Sequence, residues 1–347
     1  MQKRRSVKMA LWLKEGPDSD VVISTRARLA RNMKGVAFPA IIKGTPKAKE
    51  VMRPAIETFV ENADFRFIGM KEIEPIERAR LTEDHIISKD LAMREDGAVI
   101  VSPDESLSIM LMEEDAYRLQ CMLPGLQTDK ALSLVSELDK MLGKNVEYAY
   151  DDELGFLTGC ITNVGTGLRM SAMLHLPALT MTHAINRLIQ QVGQLGLTVR
   201  GIYGEGSEAS GNIYQISNQL TLGLSEAEII QNVRAVVENL VEQERRLRRE
   251  LMTEKHLDMC DAICRALAIL KSARKMDTKE ALRLLSSVNI GISEKVISGM
   301  TSAEIYNTIL AVLPANLSRK GMTAEQRDER RAQLLRKMTA KAVIVEE

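Results

Sequence analysis

The stretch DELGFLTGCITNVGTGLRMSAM, residues 152–173, combines an apolar run, a cysteine, a glycine-rich turn and an arginine. Residues 155–162 are apolar enough to predict a buried strand, and residues 167–176 predict the start of a helix that continues beyond Pro177. Glycines let the backbone approach a ligand closely, and a helix that opens after them presents unpaired N–H groups to an anion. The stretch therefore predicts an anion-binding turn, and a purely structural tight turn is the alternative.

The composition restricts the partners of the chain. Its 347 residues are enough for two domains with separate cores, and its 45% hydrophobic and 27% charged residues are ordinary for a globular protein. Lysine plus arginine and aspartate plus glutamate each number 47, so no global field favours nucleic acid. No apolar run reaches the roughly 20 residues of a membrane span, and the basic start lacks the apolar core of a signal peptide. We therefore expect a cytoplasmic protein without a membrane or nucleic-acid partner.

The cysteines indicate neither a disulfide framework nor a firm metal site. Cys121, Cys160, Cys260 and Cys264 are few and irregularly spaced, as in intracellular proteins. His256 precedes Cys260 and Cys264 at intervals of four, which places all three on one helical face. A metal site is one interpretation, but such a stripe among apolar residues is more often helix packing. We predict no metal site made of protein side chains.

Residues 20–31 read DVVISTRARLAR and predict a strand, because Val21, Val22 and Ile23 are β-branched. In extended geometry Arg26 and Arg28 project to the same side. Paired arginines suit a phosphate, since each offers a planar fork of donors. A solvated basic edge that continues to residue 31 is the alternative.

Residues 98–102 and 107–112 are strand-like runs on either side of a Pro-Asp-Glu turn, and together they predict a hairpin. The second run leads directly into Glu113, Glu114 and Asp115, with an arginine at position 118. Three acids at the start of a helix complement its dipole, which is the structural interpretation. Next to an arginine they can instead form the polar wall of an active site.

The remainder changes from mixed to helical patterns. Residues 129–144 predict an amphipathic helix, and residues 197–203 and 212–218 predict two strands joined by a glycine-rich loop that carries Glu205. Helical patterns dominate from Ser225 onward. Capping signals mark several helix starts, namely Ser225, Thr301 and Thr323. Further helices are predicted at residues 256–272, 278–287, 301–312 and 324–340. This change of pattern predicts two domains, residues 1–250 and 251–347.

Four blocks together resemble the phosphagen kinase superfamily of guanidino-group phosphotransferases, and within it the bacterial protein-arginine kinases. They are STRARLARN at residues 24–32, MEEDAYRLQ at 112–120, the stretch at 152–173, and RGIYGEGSEASGNIYQISN at 200–218. The blocks occur in the order typical of the family. The resemblance implies an α+β fold, in which an antiparallel sheet flanked by helices is followed by an all-helical C-terminal domain that mediates dimerisation.

The resemblance also implies roles for single residues. Five arginines match those that bind the phosphates of ATP, namely Arg26, Arg28, Arg118, Arg169 and Arg200. Glu114 and Glu205 match the carboxylates that hold the acceptor guanidinium, and Cys160 matches the active-site cysteine. The implied cofactors are ATP and Mg²⁺. This set suits phosphoryl transfer, which depends on positioning and on neutralising charge.

The chain departs from the family pattern at several positions. Ala116 stands where histidine is usual, Ile161 where proline is usual, and Gly159 and Met170 where alanines are usual. In the small-molecule kinases of the superfamily a helical domain precedes the STR block, and a histidine is usual at the position of Gly206. We therefore expect an uncovered site that admits an arginine of a polypeptide.

The C-terminal sequence RDERRA fits the RDxxRA signature of protein-arginine kinases. The resemblance implies an allosteric phosphoarginine pocket at Arg327, Asp328, Arg331 and Ala332. The two arginines lie four apart, a spacing that can converge on a phosphate. Taken without the resemblance, such a cluster is typical of a solvated helix face.

Three functions follow as hypotheses. The first is a protein-arginine kinase, in protein quality control and the stress response. By resemblance, it marks substrates for a Clp-type AAA+ unfoldase and protease, acts on a heat-shock repressor, works with a zinc-binding activator protein and forms a homodimer. The alternatives are a kinase for free arginine or another small guanidino compound, and an inactive phosphoarginine-binding adaptor. The chain has neither a Walker A motif nor the motif set of protein kinases.

Overall fold

The computed structural model describes residues 10–61, 63–202 and 209–345. Within these ranges the strands are β1 (Val22–Arg31), β2 (Arg66–Gly69), β3 (Ala98–Val101), β4 (Leu107–Leu111), β5 (Tyr117–Pro124), β6 (Tyr150–Asp151), β7 (Gly155–Phe156), β8 (Leu168–His175), β9 (Leu197–Gly201), β10 (Ile213–Asn218), β11 (Ile297–Ser298) and β12 (Val343–Ile344).

The helices of the same ranges are α1 (Pro39–Ile42), α2 (Pro46–Ile56), α3 (Pro75–Glu83), α4 (Lys89–Ala92), α5 (Thr128–Gly143), α6 (Pro177–Met181), α7 (Ala184–Gln194), α8 (Glu226–Glu254), α9 (His256–Ser272), α10 (Thr278–Ser293), α11 (Ser302–Ala311), α12 (Pro314–Leu317) and α13 (Ala324–Met338). Short helical turns occur at Leu11–Leu13, Glu57–Glu61, Met70–Glu72, Ile161–Asn163 and Ser210–Asn212.

An eight-stranded sheet in the order β2-β3-β4-β5-β1-β8-β10-β9 forms the centre of the molecule. Every neighbouring pair is antiparallel. From α8 onward the chain is helical apart from the two-residue strands β11 and β12. The predicted α+β fold, with an antiparallel sheet and helices beside it, is confirmed.

The two faces of the sheet differ in chemistry. On β1, Ala27 and Leu29 are buried in an apolar core together with residues of α5, α7 and α8. Arg26 and Arg28 alternate with them and are half-buried on the opposite face. Because side chains alternate along a strand, one face holds the core, and the part of the other face around these arginines is left for polar residues.

The C-terminal helices pack against one end of the polar face. Met122 of β5 and Met173 of β8 belong to a second core that also contains Trp12 and residues of α9, α10 and α11. Tyr306 of α11 lies in the same cluster, at 4% exposure. The helical region is therefore placed beside the half-buried arginines rather than on the far side of the sheet.

A buried ion pair on α8 connects the sheet with the helical region. Glu244 accepts hydrogen bonds from the backbone of Ala178 and Leu179, each at 3.0 Å, and from Arg248 Nε at 2.7 Å. Arg248 donates in turn to the carbonyl oxygen of His175 at 3.1 Å. Both side chains are at most 1% exposed, and these partners satisfy the buried charges.

Most local predictions are confirmed, including the strand of residues 20–31, the hairpin of β3 and β4, helix α5 and strand β10. The three capping boxes also form, at the starts of α8, α11 and α13. Strand β2 was not predicted. The domain boundary at residue 250 falls inside α8 and stays a prediction.

Two local predictions are wrong, and so is one of the two interpretations of the acids at 113–115. Residues 168–175 form strand β8 instead of a helix, because β1 and β10 pair with its two edges. The expected strand at residues 155–162 is reduced to the two residues of β7. The acids at 113–115 form a turn between β4 and β5, not a helix start, with Met112 N–H bonded to the carbonyl oxygen of Ala116.

No helix of the described parts combines the length and apolar character that a membrane span requires.

Candidate active site

Five arginines share the polar face of the sheet, and this surface is here called the arginine face. They are Arg26, Arg28, Arg118, Arg169 and Arg200. In the strand register Arg28 lies opposite Arg169, and Arg118 lies opposite Ala30, which shares a face with Arg28. Arg200 of β9 lies opposite Gln215 of β10, and Gln215 lies opposite Met173 of β8. Met173 and Arg169 are four residues apart on one strand, so Arg200 and Arg169 share a face. Directly opposed residues of antiparallel strands point to the same side. The structure therefore brings together all five arginines predicted from the sequence, on four different strands.

The arginines have few hydrogen-bond partners on this face. Arg26 donates to Gln215 Oε1 at 3.1 Å, and Arg169 donates to Ser217 Oγ at 3.2 Å. The Nε atoms of Arg28 and Arg169 are buried without a hydrogen bond to any described residue. Buried polar groups are usually satisfied, so these donors point to a ligand with several acceptor oxygens.

Burial and, after it, the crowding of like charges lower the pKa values of three of these arginines. Burial, and then the charges of Arg118 and Arg169, lower the pKa of Arg26 to about 10. Burial together with Arg26, Arg118 and Arg169 lowers the pKa of Arg28 well below its ordinary value. Burial and the neighbouring Arg200 and Arg118 also lower the pKa of Arg169, while Cys160 and Glu114 act in the opposite direction. A polyanion on this face removes the repulsion.

The turn between β4 and β5 places Glu113, Glu114 and Asp115 at the end of the arginine face, and it is here called the acid turn. Glu113 is 1% exposed, and its carboxylate accepts a hydrogen bond from Arg118 Nη1 at 2.6 Å. Glu114 Oε2 lies 3.6 Å from Arg118 Nη2, and its side chain is 42% exposed. Glu114 is thus the accessible acid of the turn, as its predicted role requires, whereas Glu113 holds an arginine.

A buried hydrogen-bond network around Asn32 and Asp115, here called the hub, connects this turn to the stretch that carries Cys160. Asp115 is fully buried, and its Oδ1 accepts hydrogen bonds from Asn32 Nδ2 at 2.7 Å and from Gly159 N–H at 2.6 Å. Asn32 also donates to the carbonyl oxygen of Leu157 at 3.0 Å and accepts from Ala116 N–H at 2.8 Å. The hub thereby sets the distance between Glu114 and Cys160.

Replacing Asn32 with alanine is expected to lower the free energy of unfolding by about 2–4 kcal/mol, because Asp115 remains buried with half of its partners lost. We expect kcat/KM to fall by about tenfold or more, since the acid turn moves relative to the cysteine. Urea unfolding and initial rates measure the two effects. The matched control is Asn145→Ala. Asn145 is exposed, and its replacement removes one hydrogen bond to Thr58. Equal stability losses in both variants would contradict the role of the hub.

Cys160 lies at the rim of the face and is partly exposed. Its Sγ is 3.1 Å from Thr162 Oγ1, and its carbonyl oxygen accepts a hydrogen bond from Thr158 Oγ1 at 2.8 Å. Ile161, which follows it, is 84% exposed. The predicted anion-binding helix start does not form here, because residues 168–175 are a strand. A phosphate on this face therefore meets the side chain of Arg169 rather than helix N–H groups.

Arg31 has a structural role instead of continuing a solvated basic edge. Its side chain is 1% exposed and pairs with Asp139 at 2.8 Å. The guanidinium carbon lies 3.5 Å from the ring centroid of Phe156, and Nη1 donates to the carbonyl oxygen of Thr166 at 3.0 Å. These contacts hold the glycine-rich turn against β1. There Gly165 adopts a φ of 110° with the backbone of Thr221 so close that a Cβ would clash.

Sequence reasoning missed part of the site. The structure adds Asn32 beside the acid turn, and Gln215 and Ser217 as partners of the arginines. It also separates the roles of Glu113 and Asp115, which the sequence named only as members of a polar wall: Glu113 binds Arg118, and Asp115 binds Asn32. The alternation of β10 was the available signal for the last two. Glu205 and Gly206 lie outside the described residues, so the role of Glu205 stays a prediction.

The C-terminal motif differs from the expected arrangement. Arg331 is 1% exposed, and it donates to the carbonyl oxygens of Val312 and Met276, each at 2.9 Å, and to Asp328 at 2.5 Å. Ala332 is buried in the helical core. Arg331 therefore does not converge with Arg327 on an open surface.

A basic cleft of about 590 Å³ opens beside the motif on α13. Its lining residues are Arg274, Lys275, Arg319, Met322, Gln326, Glu329, Arg330, Gln333 and Arg336. None of the four motif residues lines it. The phosphoarginine site at the motif stays a prediction.

Known protein families match most of this chain. The family described as ATP:guanido phosphotransferase, C-terminal catalytic domain, matches residues 47–247, and the chain is thus an ATP-dependent guanidino phosphotransferase. The family described as Protein-arginine kinase McsB C-terminal domain matches residues 255–344. The chain is 43% identical to a protein-arginine kinase of Halalkalibacterium halodurans, over 97% of each chain. It is 44% identical to that of Brevibacillus brevis, over 94% of each chain. The chain belongs to the protein-arginine kinase family.

Solved structures support the fold. A lombricine kinase superposes with a TM-score of 0.57 at 22% identity, covering 70% of each chain. The duplicated taurocyamine kinase of Schistosoma mansoni gives a TM-score of 0.60 at 21% identity, covering 80% of this chain and 41% of that chain. At these identities the likeness concerns the fold alone.

The described residues fit ATP, the phosphate donor of this family. Orphaned guanidinium donors of Arg28 and Arg169 and the crowded positive charge suit a triphosphate. Mg²⁺ bound to the phosphates supplies charge neutralisation when present. Among the described residues no group of three or more His, Cys, Asp or Glu side chains is arranged to hold a metal ion.

Proposed function

We propose that this enzyme transfers the γ-phosphate of ATP to guanidinium groups of arginine residues in proteins. The observation that carries the proposal is the meeting of the arginine face with Glu114 and Cys160 at one end of it. The relatives named protein-arginine kinase, which match nearly the whole chain, support the choice of acceptor.

The arginine face provides for the donor half of the reaction. Arg26, Arg28 and Arg169 lie side by side on β1 and β8, where planar forks can hold phosphate oxygens from several directions. The groups are fixed by the sheet, so little reorganisation is needed as charge develops on the transferred phosphoryl group. The leaving group is ADP, and the bond between its β-phosphate oxygen and the γ-phosphorus breaks.

The acid turn provides for the acceptor half. A guanidinium is normally protonated and a poor nucleophile. Glu114, together with Glu205 by family resemblance, orients the guanidinium and accepts the proton released as the N–P bond forms. The partly exposed sulfur of Cys160 adds a soft acceptor. The product is a phosphoarginine, whose N–P bond is labile in acid.

One assay tests the acceptor. The enzyme is incubated with labelled ATP and Mg²⁺, with an arginine-rich protein in one tube and free arginine in another, and acid-labile, base-stable label is counted. We expect label on the protein. Label on free arginine alone would establish a small-molecule kinase, and the absence of label on any acceptor would favour a phosphoarginine-binding adaptor.

We further propose the cellular setting that the family resemblance implies. The enzyme acts in the cytoplasm in protein quality control and the stress response. It marks substrates for a Clp-type AAA+ unfoldase and protease, acts on a heat-shock repressor, and works as a homodimer with a zinc-binding activator protein. Support for these partners comes from the resemblance alone.

We propose that the RDxxRA motif binds phosphoarginine as an activator. The match of residues 255–344 to the C-terminal domain of protein-arginine kinases supports it. Arg327 is the partly exposed arginine of the motif, whereas Arg331 links α13 to Val312. A phosphoarginine that binds Arg327 and Asp328 competes with the bond between Asp328 and Arg331.

Arg327→Ala is expected to blunt the response to free phosphoarginine. The ratio of kinase rates with and without phosphoarginine should fall from about fivefold or more to near one, within the usual range of allosteric coupling. Initial rates over a phosphoarginine titration measure it. Lys337→Ala, an exposed cation on the same helix, is the control and should keep the ratio. Unchanged activation in Arg327→Ala would refute the second site.

A further inference from the structure

Residues 83–88, here called the coupling segment, connect α3 to α4 and run between the C-terminal helices and the catalytic face. In the structure its first two residues contact α12, and its later residues contact groups of the active site. A single short segment therefore touches both regions of the molecule.

On the C-terminal side, two carboxylates hold the start of α12. Glu83 accepts hydrogen bonds from the backbone N–H groups of Ala315 and Asn316, each at 2.8 Å. Asp84 Oδ1 accepts one from Asn316 Nδ2 at 2.9 Å. Hydrogen bonds to charged acceptors are stronger than neutral ones, so these three form a firm clasp. Helix α12 begins two residues after Val312, the carbonyl partner of Arg331.

On the catalytic side, His85 links the clasp to the arginine face. Its carbonyl oxygen accepts a hydrogen bond from Gln120 Nε2 at 2.9 Å, and Gln120 lies opposite Arg28 in the sheet. Its ring packs edge-on against Trp12 at 5.6 Å between centroids. His85 has a φ of 57°, which is uncommon for a residue other than glycine, and its neighbours must hold it there.

The end of the segment reaches the acid turn. The hydroxyl of Ser88 donates to the carboxylate of Glu113, which also binds Arg118. The carbonyl oxygen of Ile86 accepts from Ser108 Oγ at 3.3 Å on β4. The segment thus contacts the neighbours of Arg28 and of Arg118, two phosphate-binding candidates on adjacent strands.

We infer that the coupling segment positions the ATP-binding arginines and that its clasp on α12 lets the C-terminal helices set the affinity for ATP. The inference rests on the proposed role of the arginine face. Release of α12 frees Glu83 and Asp84, and the strained His85 then relaxes away from Gln120. Because coupling is reciprocal, ATP on the arginine face also tightens the clasp.

A double-mutant cycle on the clasp tests the inference in the full-length enzyme. Asp84→Ala and Asn316→Ala are each expected to raise the KM and Kd for ATP by about fivefold or more, since each removes a charge-assisted hydrogen bond. We expect kcat to change by less than about twofold, and the double variant to be no worse than the weaker-binding single variant. Calorimetric titration with ATP and Mg²⁺ gives the Kd, and initial rates separate KM from kcat.

The control is Asp261→Ala, which removes a carboxylate bonded to Arg265 at 2.7 Å on an exposed part of α9. It should leave the affinity for ATP unchanged. If Asp84→Ala does not fold, Asp84→Asn serves in the same cycle, because it keeps the shape and removes the charge. Unchanged affinity in the clasp variants, strictly additive losses, or an equal loss in Asp261→Ala would overturn the inference. A wild-type enzyme that fails to bind ATP would overturn the proposed function itself.

Discussion

Replacing Arg28 with alanine is expected to lower kcat/KM for arginine phosphorylation by about 10³-fold or more, the range for loss of an arginine that stabilises phosphoryl transfer. Arg28 lies on the central strand β1, opposite Arg169 on one side and Gln120 on the other. Its Nε is buried without a described partner. The side chain therefore contributes little to the folded state without ATP and much to the bound phosphates.

The same substitution is expected to leave the unfolding temperature unchanged or higher. Burial and three neighbouring arginines lower the pKa of Arg28, which means that the charged form is disfavoured in the fold. Removing it relieves repulsion, so activity and stability change in opposite directions. Thermal unfolding without nucleotide measures this effect. Arg28→Lys separates charge from geometry, because lysine keeps the charge and lacks the planar fork.

The control for both measurements is Arg66→Ala on the edge strand β2, where the side chain is 55% exposed. This variant should keep full activity. A loss of less than tenfold in Arg28→Ala, or a clear fall in its unfolding temperature, would show that Arg28 stabilises the sheet and does not bind phosphate.

Glu114→Gln is expected to lower kcat by about 10²–10⁴-fold, the usual effect of losing a proton acceptor. The Kd for ATP should stay within about twofold, since Glu114 lies at the acceptor end of the face and approaches Arg118 only at 3.6 Å. Single-turnover rates and nucleotide titration measure the two quantities. A variant that loses ATP affinity and keeps kcat would place Glu114 in the donor site.

The pH dependence gives a second test of Glu114. Burial, and then the charge of Asp115, raise the pKa of Glu114 above its ordinary value. Proton transfer needs the deprotonated carboxylate of Glu114, so activity should decline as the pH falls through this raised pKa. The decline should therefore begin at a higher pH than it would for an ordinary glutamate. The remaining activity of Glu114→Gln should lack this decline. Rates are followed through ADP release, because the N–P product is unstable in acid.

Patterns within one element made much of the fold predictable. A run of β-branched residues marked β1, alternation marked β10, and the N-terminal caps marked α8, α11 and α13, because all three signals depend on residues a few positions apart. Strand β8 could not be recognised in this way. Its leucine, methionine and alanine residues favour a helix locally, and only pairing with β1 and β10 on both sides makes it extended.

The five arginines predicted through the family resemblance lie together on one face of the sheet, whereas the side chains that support the site could not be recognised from the sequence. Asn32 contacts Asp115 and Leu157, which lie 83 and 125 residues away along the chain. Spacing also could not tell that Arg331 is buried, because an interval of four fixes the side of a helix and not what packs against it. Tertiary contacts decide both cases.

Helix α8 carries a consequence for how the molecule comes apart. Val233, Val237 and Leu240 of this helix belong to the core under the sheet, and Leu251 belongs to the core of the C-terminal helices. The buried pair Glu244 and Arg248 lies between them. Melting either core would unravel part of the helix that completes the other core. It would also remove some of the partners that satisfy the buried charges of Glu244 and Arg248. We therefore expect the two halves to unfold as one cooperative unit.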